Sequence, residues 1–456
     1  MLESYARVLP GEIAAPHFSG CGAQYNGFSF MPQSEEAGLT GDALTREFDR
    51  VERMRLPIAR TWFRPDFNTE RMRRLNQWLE KTRELHVQVA VNAGQWFTRD
   101  VWYFAHEKFN DPAFTSDPAN FALCCAKFAL WISKALEYWI EVKHYDHIRY
   151  LFLFAEPLTA RTGALPARMT QEQAYELCCR KVHEQLQTLG IRDKVRLVGP
   201  NSLYVGGNAE PLKFAVDRLN DVFDIYSAHT YARCTGEYAD LGYAQWLEQT
   251  RAMKKLTART GKPFWIDEYG LSGKMEQAEQ ARSSPRYGNF LAQANAAFLN
   301  ARADASLLFE LFDQKTFWSI TNEDSYHNGV HRWGLAYMPG DDVPEPNNVR
   351  PAWYAFALLS RYMTGDTQIL ETQTGDGICA AAVRGAEGLS LLLVNRTGEP
   401  VRVAVDAGTF PLRRSLYDPE AVRPTPDANI PEPDEITSDS RFTTLLPPYG
   451  VAVYHA

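Results

Sequence analysis

The sequence predicts an α/β chain: a (β/α)8 TIM barrel with a C-terminal accessory β-sandwich. Three observations lead there. Short apolar runs recur roughly every 30 to 60 residues, with helix-like segments between them. Most of these runs are continuous rather than alternating, as expected of parallel strands buried on both faces. Beyond residue 364 the texture changes to short strand-like runs separated by Gly, Pro, Asn and Asp clusters.

Runs rich in Val, Ile, Leu and Phe give eight strand candidates: His17–Gly22, Ile58–Trp62, Val87–Asn92, Tyr150–Phe154, Val195–Gly199, Phe223–Ala228, Phe264–Asp267 and Ala305–Leu311. Asp117 followed by Pro118 reads as an N-cap with proline at the first helical position. Phe121, Cys124, Cys125, Phe128, Ile132, Ala135 and Trp139 then recur at spacings of three and four, one apolar helical face. Thr170 and Gln173 make a capping box, and Gly190 stops that helix before Val195. Gly261-Lys262-Pro263 ends another helix just ahead of the seventh strand, and Pro351–Met363 reads as the last helix. Eight strands alternating with helices over about 350 residues favour a barrel, with a doubly wound open sheet as the alternative. In the tail, Cys379–Val383, Ser390–Val394, Val401–Val405 and Gly450–Tyr454 read as strands. The Pro-rich stretch Pro424–Pro433 reads as a long loop among them.

Composition narrows the function. At 456 residues and 45% hydrophobic, the chain can build one large domain and a smaller one. A net charge of −8 argues against a nucleic-acid binder, which needs a basic footprint. No basic segment followed by an apolar stretch opens the chain, and the apolar runs are broken by charge, so neither signal peptide nor membrane span is expected. Seven cysteines, an odd count without CxxC spacing, fit neither a secreted disulfide framework nor a zinc site. A reduced, cytoplasmic location is expected, or a secreted one if a leader was removed, and no cofactor is expected. The 11 Trp and 21 Tyr supply flat rings with a polar handle, which suit sugar faces as well as a large core.

In a barrel the chemistry sits just past the carboxyl ends of the strands. Those positions hold Arg60, Trp62 and Arg64; then Asn92, Gln95 and Trp96; then Glu156; then Asn201; then His229 and Tyr231; then Asp267 and Glu268. The eighth strand leads to Glu310, Phe312 and Gln314 and a long loop with Trp318, His327, His331 and Trp333. Glu156 and Glu268, at the tips of strands four and seven, are placed to face each other across a barrel mouth. Double-displacement cleavage of a glycoside needs such a pair, one acid to protonate the leaving oxygen and one carboxylate to attack the anomeric carbon. A separation of about 5–5.5 Å would predict retention of configuration. Strand alternation lets only one of Asp267 and Glu268 point into the mouth. Trp62, Trp96, Trp318 and Trp333 are candidate stacking platforms, core packing being the alternative for each. Trp78, Trp131 and Trp139 fall in helical stripes and read as core.

These motifs resemble a known group. Leu151-Phe152-Leu153-Phe154-Ala155-Glu156-Pro157 is similar to the Asn-Glu-Pro acid/base motif of the retaining (β/α)8 glycoside hydrolases. Phe264-Trp265-Ile266-Asp267-Glu268-Tyr269-Gly270 is similar to their nucleophile strand, and His229-Thr230-Tyr231 to their His-x-Tyr. With Leu197-Val198-Gly199-Pro200-Asn201 and the sandwich, the chain resembles glycoside hydrolase family 39 most, then families 5 and 51. The resemblance implies that Glu156 is the general acid/base and Glu268 the nucleophile. It also implies that Tyr231 bonds the nucleophile, His229 lines the site and Arg60 holds the Glu268 carboxylate charged, with Asp267 directed outward. It implies a barrel over 15–364 and a sandwich over 365–456 joined by residues 1–14. Substrate contacts are expected from Trp62, Asn92, Trp96, Asn201, Gln314, Trp318 and Trp333.

One departure stands out. The group carries Asn before the acid/base, where it contacts the sugar 2-hydroxyl, a contact worth several kcal/mol; this chain has Ala155. A substrate with a different 2-position, a replacement donor such as Asn201 or Asn92, and impaired catalysis are all open. The expected substrate is an oligosaccharide or glycoside, cut from its end because the loops 95–116 and 313–350 can wall off the cleft, with β-xylosidase-like or arabinofuranosidase-like specificity. A homo-oligomer is compatible with the sequence. Two rivals are a sugar-binding protein with decayed catalysis and a metal-dependent barrel hydrolase using His229, His327 and His331. The loop setting of those histidines differs from the helix an HExxH site requires.

Overall fold

The computed structural model describes residues 2–159, 164–204, 206–235, 238–239, 242–273, 275–315, 330–343, 345 and 347–456. In chain order the strands are β1 (Leu2–Phe18), β2 (Cys21–Gln24), β3 (Ile58–Trp62), β4 (Gln88–Asn92), β5 (Ile148–Phe152), β6 (Arg196–Leu203), β7 (Ile225–Thr235), β8 (Tyr238–Ala239), β9 (Phe264–Ser272) and β10 (Ala305–Leu308). They continue with β11 (Gln314–Lys315), β12 (Val330–His331), β13 (Thr367–Thr374), β14 (Ile378–Gly385), β15 (Gly388–Asn395), β16 (Val401–Asp406), β17 (Arg413–Tyr417), β18 (Glu435–Ile436), β19 (Arg441–Leu446) and β20 (Val451–His455).

The barrel sheet runs in the order β6-β5-β4-β3-β2-β10-β9-β7, and a β6–β7 pairing closes it. Its ladders are parallel where registered, at β10–β2, β4–β5, β5–β6 and β6–β7. All eight expected barrel strands are present, most of them offset or lengthened by a few residues. The sandwich strands run β18-β17-β20-β15-β14-β13-β1-β16-β19.

Two compact units divide the chain. One comprises Met1–Ile58, Tyr231–Lys254 and Glu268–Ala456; the other comprises Ala59–Thr230 and Lys255–Asp267.

In the first unit, β1 pairs in parallel with β16 from Leu2 to Arg7 and antiparallel with β13 on its other side. Its register slips between Leu9 and Ile13, where Pro10 cannot donate to a ladder. His17 therefore ends a sandwich strand, and the first barrel strand is Cys21–Gln24 rather than His17–Gly22. Gly20 makes the break: at φ 125°, a Cβ there would lie 2.5 Å from Thr364 Oγ1 and 2.8 Å from Pro57 Cγ. The sandwich core gathers Val8, Leu370, Ala382, Leu391, Leu393, Val401, Val403, Leu446 and Tyr454, all buried. The alternation in β16, buried at Val401, Val403 and Val405, is the sequence pattern that revealed it. Four strands, β13, β17, β18 and β19, went unread because their patterns are broken by charge and threonine. The helix Arg286–Asn300 bonds into the sandwich backbone, Asn289 Nδ2 donating to Asn395 O and Tyr449 O at 2.8 Å each, and Asn300 Nδ2 to Ala380 O at 2.8 Å.

In the second unit, Asp117 caps the helix Pro118–Glu137 by accepting from Ala119 N–H at 2.8 Å. Phe121, Cys124, Cys125, Phe128, Ile132 and Leu136 on that helix are buried. The helical stretch Pro118–Val142 is long and apolar enough to cross a membrane, less broken by charge than the sequence reading held. Its packed face gives a core helix that passes the same test. Thr170 and Gln173 complete the expected capping box, at 3.2 and 2.9 Å. The vicinal cysteines are unbridged and buried, and burial pushes the Cys178 and Cys179 thiols up.

Candidate active site

In the second unit, β3, β4, β5, β6 and β7 bring six of the sequence-predicted residues into one buried chain of contacts. Arg60 on β3 is fully buried, its guanidinium 5.2 Å from the Trp62 ring centroid and 5.1 Å from that of Phe152. It donates to Asp267 O at 3.2 Å, to Asn92 Oδ1 at 3.3 Å and to Asn201 Oδ1 at 3.4 Å. Asn92, at the end of β4, donates through Nδ2 to Gly94 O at 2.6 Å. Asn201 Nδ2 donates to Asn92 Oδ1 at 3.0 Å and to Phe154 O at 2.6 Å. Its Oδ1 meets His229 Nε2, and His229 Nδ1 lies 3.2 Å from Glu156 Oε1.

Backbone geometry presents the last carboxylate. Glu156 sits at φ 49° and Asn201 at φ 58°, the left-handed region, which costs a residue with a Cβ about 1 kcal/mol or more. Asparagine tolerates that region, and glutamate occupies it less often. The turn is pinned by Glu156 N–H donating to Asn201 O at 2.8 Å and Ala155 N–H donating to Gly94 O at 3.1 Å. The Glu156 side chain keeps 18% of its surface exposed, whereas His229 is fully buried.

Asp267 differs from expectation. Its side chain is buried, with Oδ2 3.7 Å from His229 Nε2, so it is not directed outward. Both acidic residues lie inside β9, Asp267 beside His229 and Glu268 beside Tyr231. Both N–H groups of Asn201 are used, by Asn92 and Phe154, which takes Asn201 out as the replacement donor for residue 155. Trp62 is 7% exposed beneath Arg60 and packs as core. Trp96 stands apart from the chain, half-buried at the start of the helix Phe97–Trp102, with Arg99 over its ring at 5.3 Å.

In the first unit, Tyr231 Oη donates to Glu268 Oε1, the bond expected of a residue that supports a nucleophile. Trp333 lies edge-on to Tyr231 at 5.9 Å and 83°, and parallel to His331 at 5.4 Å and 6°. The Arg282 guanidinium sits 4.7 Å from the same Trp333 ring. Those neighbours make Trp333 a packed wall. Gln314 Nε2 donates to Glu310 Oε2, and His331 Nδ1 lies 2.7 Å from Glu310 Oε1. Trp318 and His327 lie outside the described residues.

Glu310 was placed at the end of the eighth strand by the sequence but given no role there. Burial raises it well above the usual carboxylate range, with Asp313 and Glu268 adding to the effect. Burial also lowers His331, to about 3, with Arg282 adding to it. Both shifts disfavour the charged forms of this pair. An acidic residue inside the apolar run Leu307-Leu308-Phe309-Glu310-Leu311-Phe312 was the available signal. Nearby, Asp313 and Arg350 form a fully buried two-pronged ion pair at 3.0 and 2.9 Å, and Gly334 N–H donates to Asp313 Oδ1 at 2.7 Å.

Comparison with known proteins adds the following. Residues 375–454 match the family model described as D-apionate lactonase, C-terminal immunoglobulin-like domain. No curated protein matches the chain by sequence. Among solved structures, a glycoside hydrolase family 30 subfamily 8 xylanase from Clostridium acetobutylicum superposes with TM-score 0.61 at 13% identity, over 99% of this chain and 100% of that one. A family 51 arabinofuranosidase from Xanthomonas axonopodis pv. citri gives 0.62 at 13%, over 100% and 99%. A family 51 α-L-arabinofuranosidase from Bifidobacterium longum gives 0.63 at 12%, over the whole of both chains. At such identities the likeness shows the fold. Family 51 was among the sequence resemblances, and family 30 was not.

Proposed function

We propose that this protein is a glycosidase that cleaves a glycosidic bond by double displacement with retention. Glu268 attacks the anomeric carbon while Glu156 gives its proton to the leaving oxygen. Glu156 then takes a proton from water, which attacks the glycosyl–Glu268 ester and restores both groups. The observation that carries the reading is that each carboxylate has the neighbour its role requires. Glu268 accepts the Tyr231 hydroxyl, a bond that favours the ionised nucleophile, and Glu156 has a buried imidazole within reach. The fold shared with xylanases and arabinofuranosidases supports the class. Exo action on a β-xyloside or arabinofuranoside is our finer reading, with Trp96 the remaining described candidate for stacking.

The test is hydrolysis of a panel of aryl pyranosides and furanosides by the wild-type protein and Glu268→Gln. A hit lost in Glu268→Gln, with a 2-fluoroglycosyl adduct on a Glu268 peptide, establishes the reading. Activity that survives Glu268→Gln sinks it, and sugar binding without turnover on any substrate favours the decayed-catalysis rival.

A second reading is favoured by the match of residues 375–454 to a domain named for a lactonase, together with Ala155. In a sugar lactone the attacked atom is a carbonyl carbon, where an absent 2-hydroxyl grip matters less. Acid release from aldonolactones, with all aryl glycosides left intact, would choose this reading over the first.

A further inference from the structure

The contacts around Glu156 leave little freedom in where their protons lie. Arg60 can only donate and the Gly94 carbonyl can only accept. Asn92 lies between them, so its Nδ2 must face Gly94 and its Oδ1 must accept from Arg60. That oxygen then requires a donor from Asn201, and Asn201 Nδ2 supplies it while also donating to Phe154 O. The Asn201 carboxamide is thereby fixed, with Oδ1 turned to His229. An amide oxygen only accepts, so His229 must carry its proton on Nε2.

The remaining ring nitrogen decides the state of Glu156. Among the charged groups near His229, its own unit supplies Glu156 at 3.2 Å from Nδ1, Asp267 at 3.7 Å from Nε2, and Arg60, which donates to the same Asn201 oxygen at 3.4 Å. The two carboxylates favour an imidazolium. Complete burial and the Arg60 cation disfavour one, because it would place two cations on one buried amide oxygen. With a neutral ring, Nδ1 is an acceptor, and the only hydrogen bond it can make to Glu156 is one that Glu156 donates.

We propose that Asn201 is a positioning residue that sets the His229 tautomer and so presents Glu156 in its protonated form, ready to act as the acid. The inference rests on the proposed role of Glu156. It also gives Asn201 a function that excludes the substrate contact considered for it. Asn201 holds Glu156 twice, through its backbone oxygen and through His229.

Imidazole 15N resonances of the wild-type protein, with His229 assigned by loss of its signals in His229→Gln, read the tautomer without any substrate. The expected result at pH 7 is a protonated Nε2 and an unprotonated Nδ1. A proton on Nδ1, alone or in an imidazolium, overturns the proposal. Asn201→Asp then places a carboxylate against Nε2, which draws a second proton onto the ring and makes Nδ1 a donor to an ionised Glu156. On the sugar identified by the panel, kcat/KM for the phenyl glycoside should fall about 100-fold, the scale of general-acid catalysis. The 2,4-dinitrophenyl glycoside, whose leaving group needs no acid, should change less than about 3-fold. Equal losses on both glycosides with an unchanged tautomer would show a merely structural role and overturn the proposal. A panel with no hits overturns the glycosidase reading, while the spectrum still decides the tautomer.

Discussion

The buried Glu310–His331 contact makes a quantitative prediction about stability. His331 binds its second proton at about 3 in the folded chain, against 6.5 ordinarily, because burial opposes the imidazolium and Arg282 adds a like charge. A base lowered on folding contributes stability that is whole above 6.5 and is lost as pH falls from 6.5 toward 3. Glu310 has the opposite slope. Its carboxyl is raised on folding, so its contribution is whole below 4.5 and is lost as pH rises from there. In the wild-type protein the two slopes oppose each other.

Glu310→Gln removes one slope and leaves the other, since Gln still donates to His331 Nδ1 and the groups that shift His331 are Arg282, Asp313 and Glu268. Between pH 7 and 5 the linkage for a group moving from 6.5 to about 3 amounts to about 2 kcal/mol. The His331 side chain keeps 14% of its surface exposed, so solvent trims that figure rather than enlarging it. Urea unfolding of Glu310→Gln and of Glu310→Gln/His331→Asn at pH 7, 6 and 5 is the assay, with the double variant as baseline. The single variant should lose about 2 kcal/mol relative to the double on going from pH 7 to 5. Parallel curves for the two variants would refute the reasoning.

Three further outcomes follow from other contacts. Tyr231→Phe removes the hydroxyl that Glu268 accepts, and kcat should fall about 10- to 100-fold, since bonds to charged groups are worth about 1.5–3 kcal/mol. Asp313→Ala leaves the Arg350 guanidinium uncompensated in a dry setting and should cost about 3–5 kcal/mol of unfolding free energy by urea titration. All seven cysteines are free, so Tm should be the same with and without dithiothreitol; a lower Tm under reduction would contradict the unbridged assignment.

How far these features were legible depends on the range over which their causes act. The strand at Ile58–Trp62 was read to the residue, since a buried parallel strand writes its apolar run locally. The Thr170–Gln173 capping box was equally visible, because both partners lie within one turn. His17 was assigned to the wrong sheet, since nothing local distinguishes the last residue of a sandwich strand from the first of a barrel strand. Only the bend at Gly20, enforced by Thr364 and Pro57, separates them. Asp267 was turned the wrong way because its neighbour His229 lies on another strand, which period-two alternation along one strand does not register.

The sequence by itself determined the alternation of strands and helices, the change to an all-β tail, and the acidic and aromatic residues at the strand ends. Those follow from periodicity and turn chemistry, which act over a few residues. Tertiary structure alone decided what the site residues do to one another. Asn92 and Asn201 are 109 positions apart, Glu156 and His229 are 73, and Arg60 and Asp267 are 207. A carboxamide read from the sequence can turn either way. It has one orientation here because a distant arginine can only donate and a distant carbonyl can only accept.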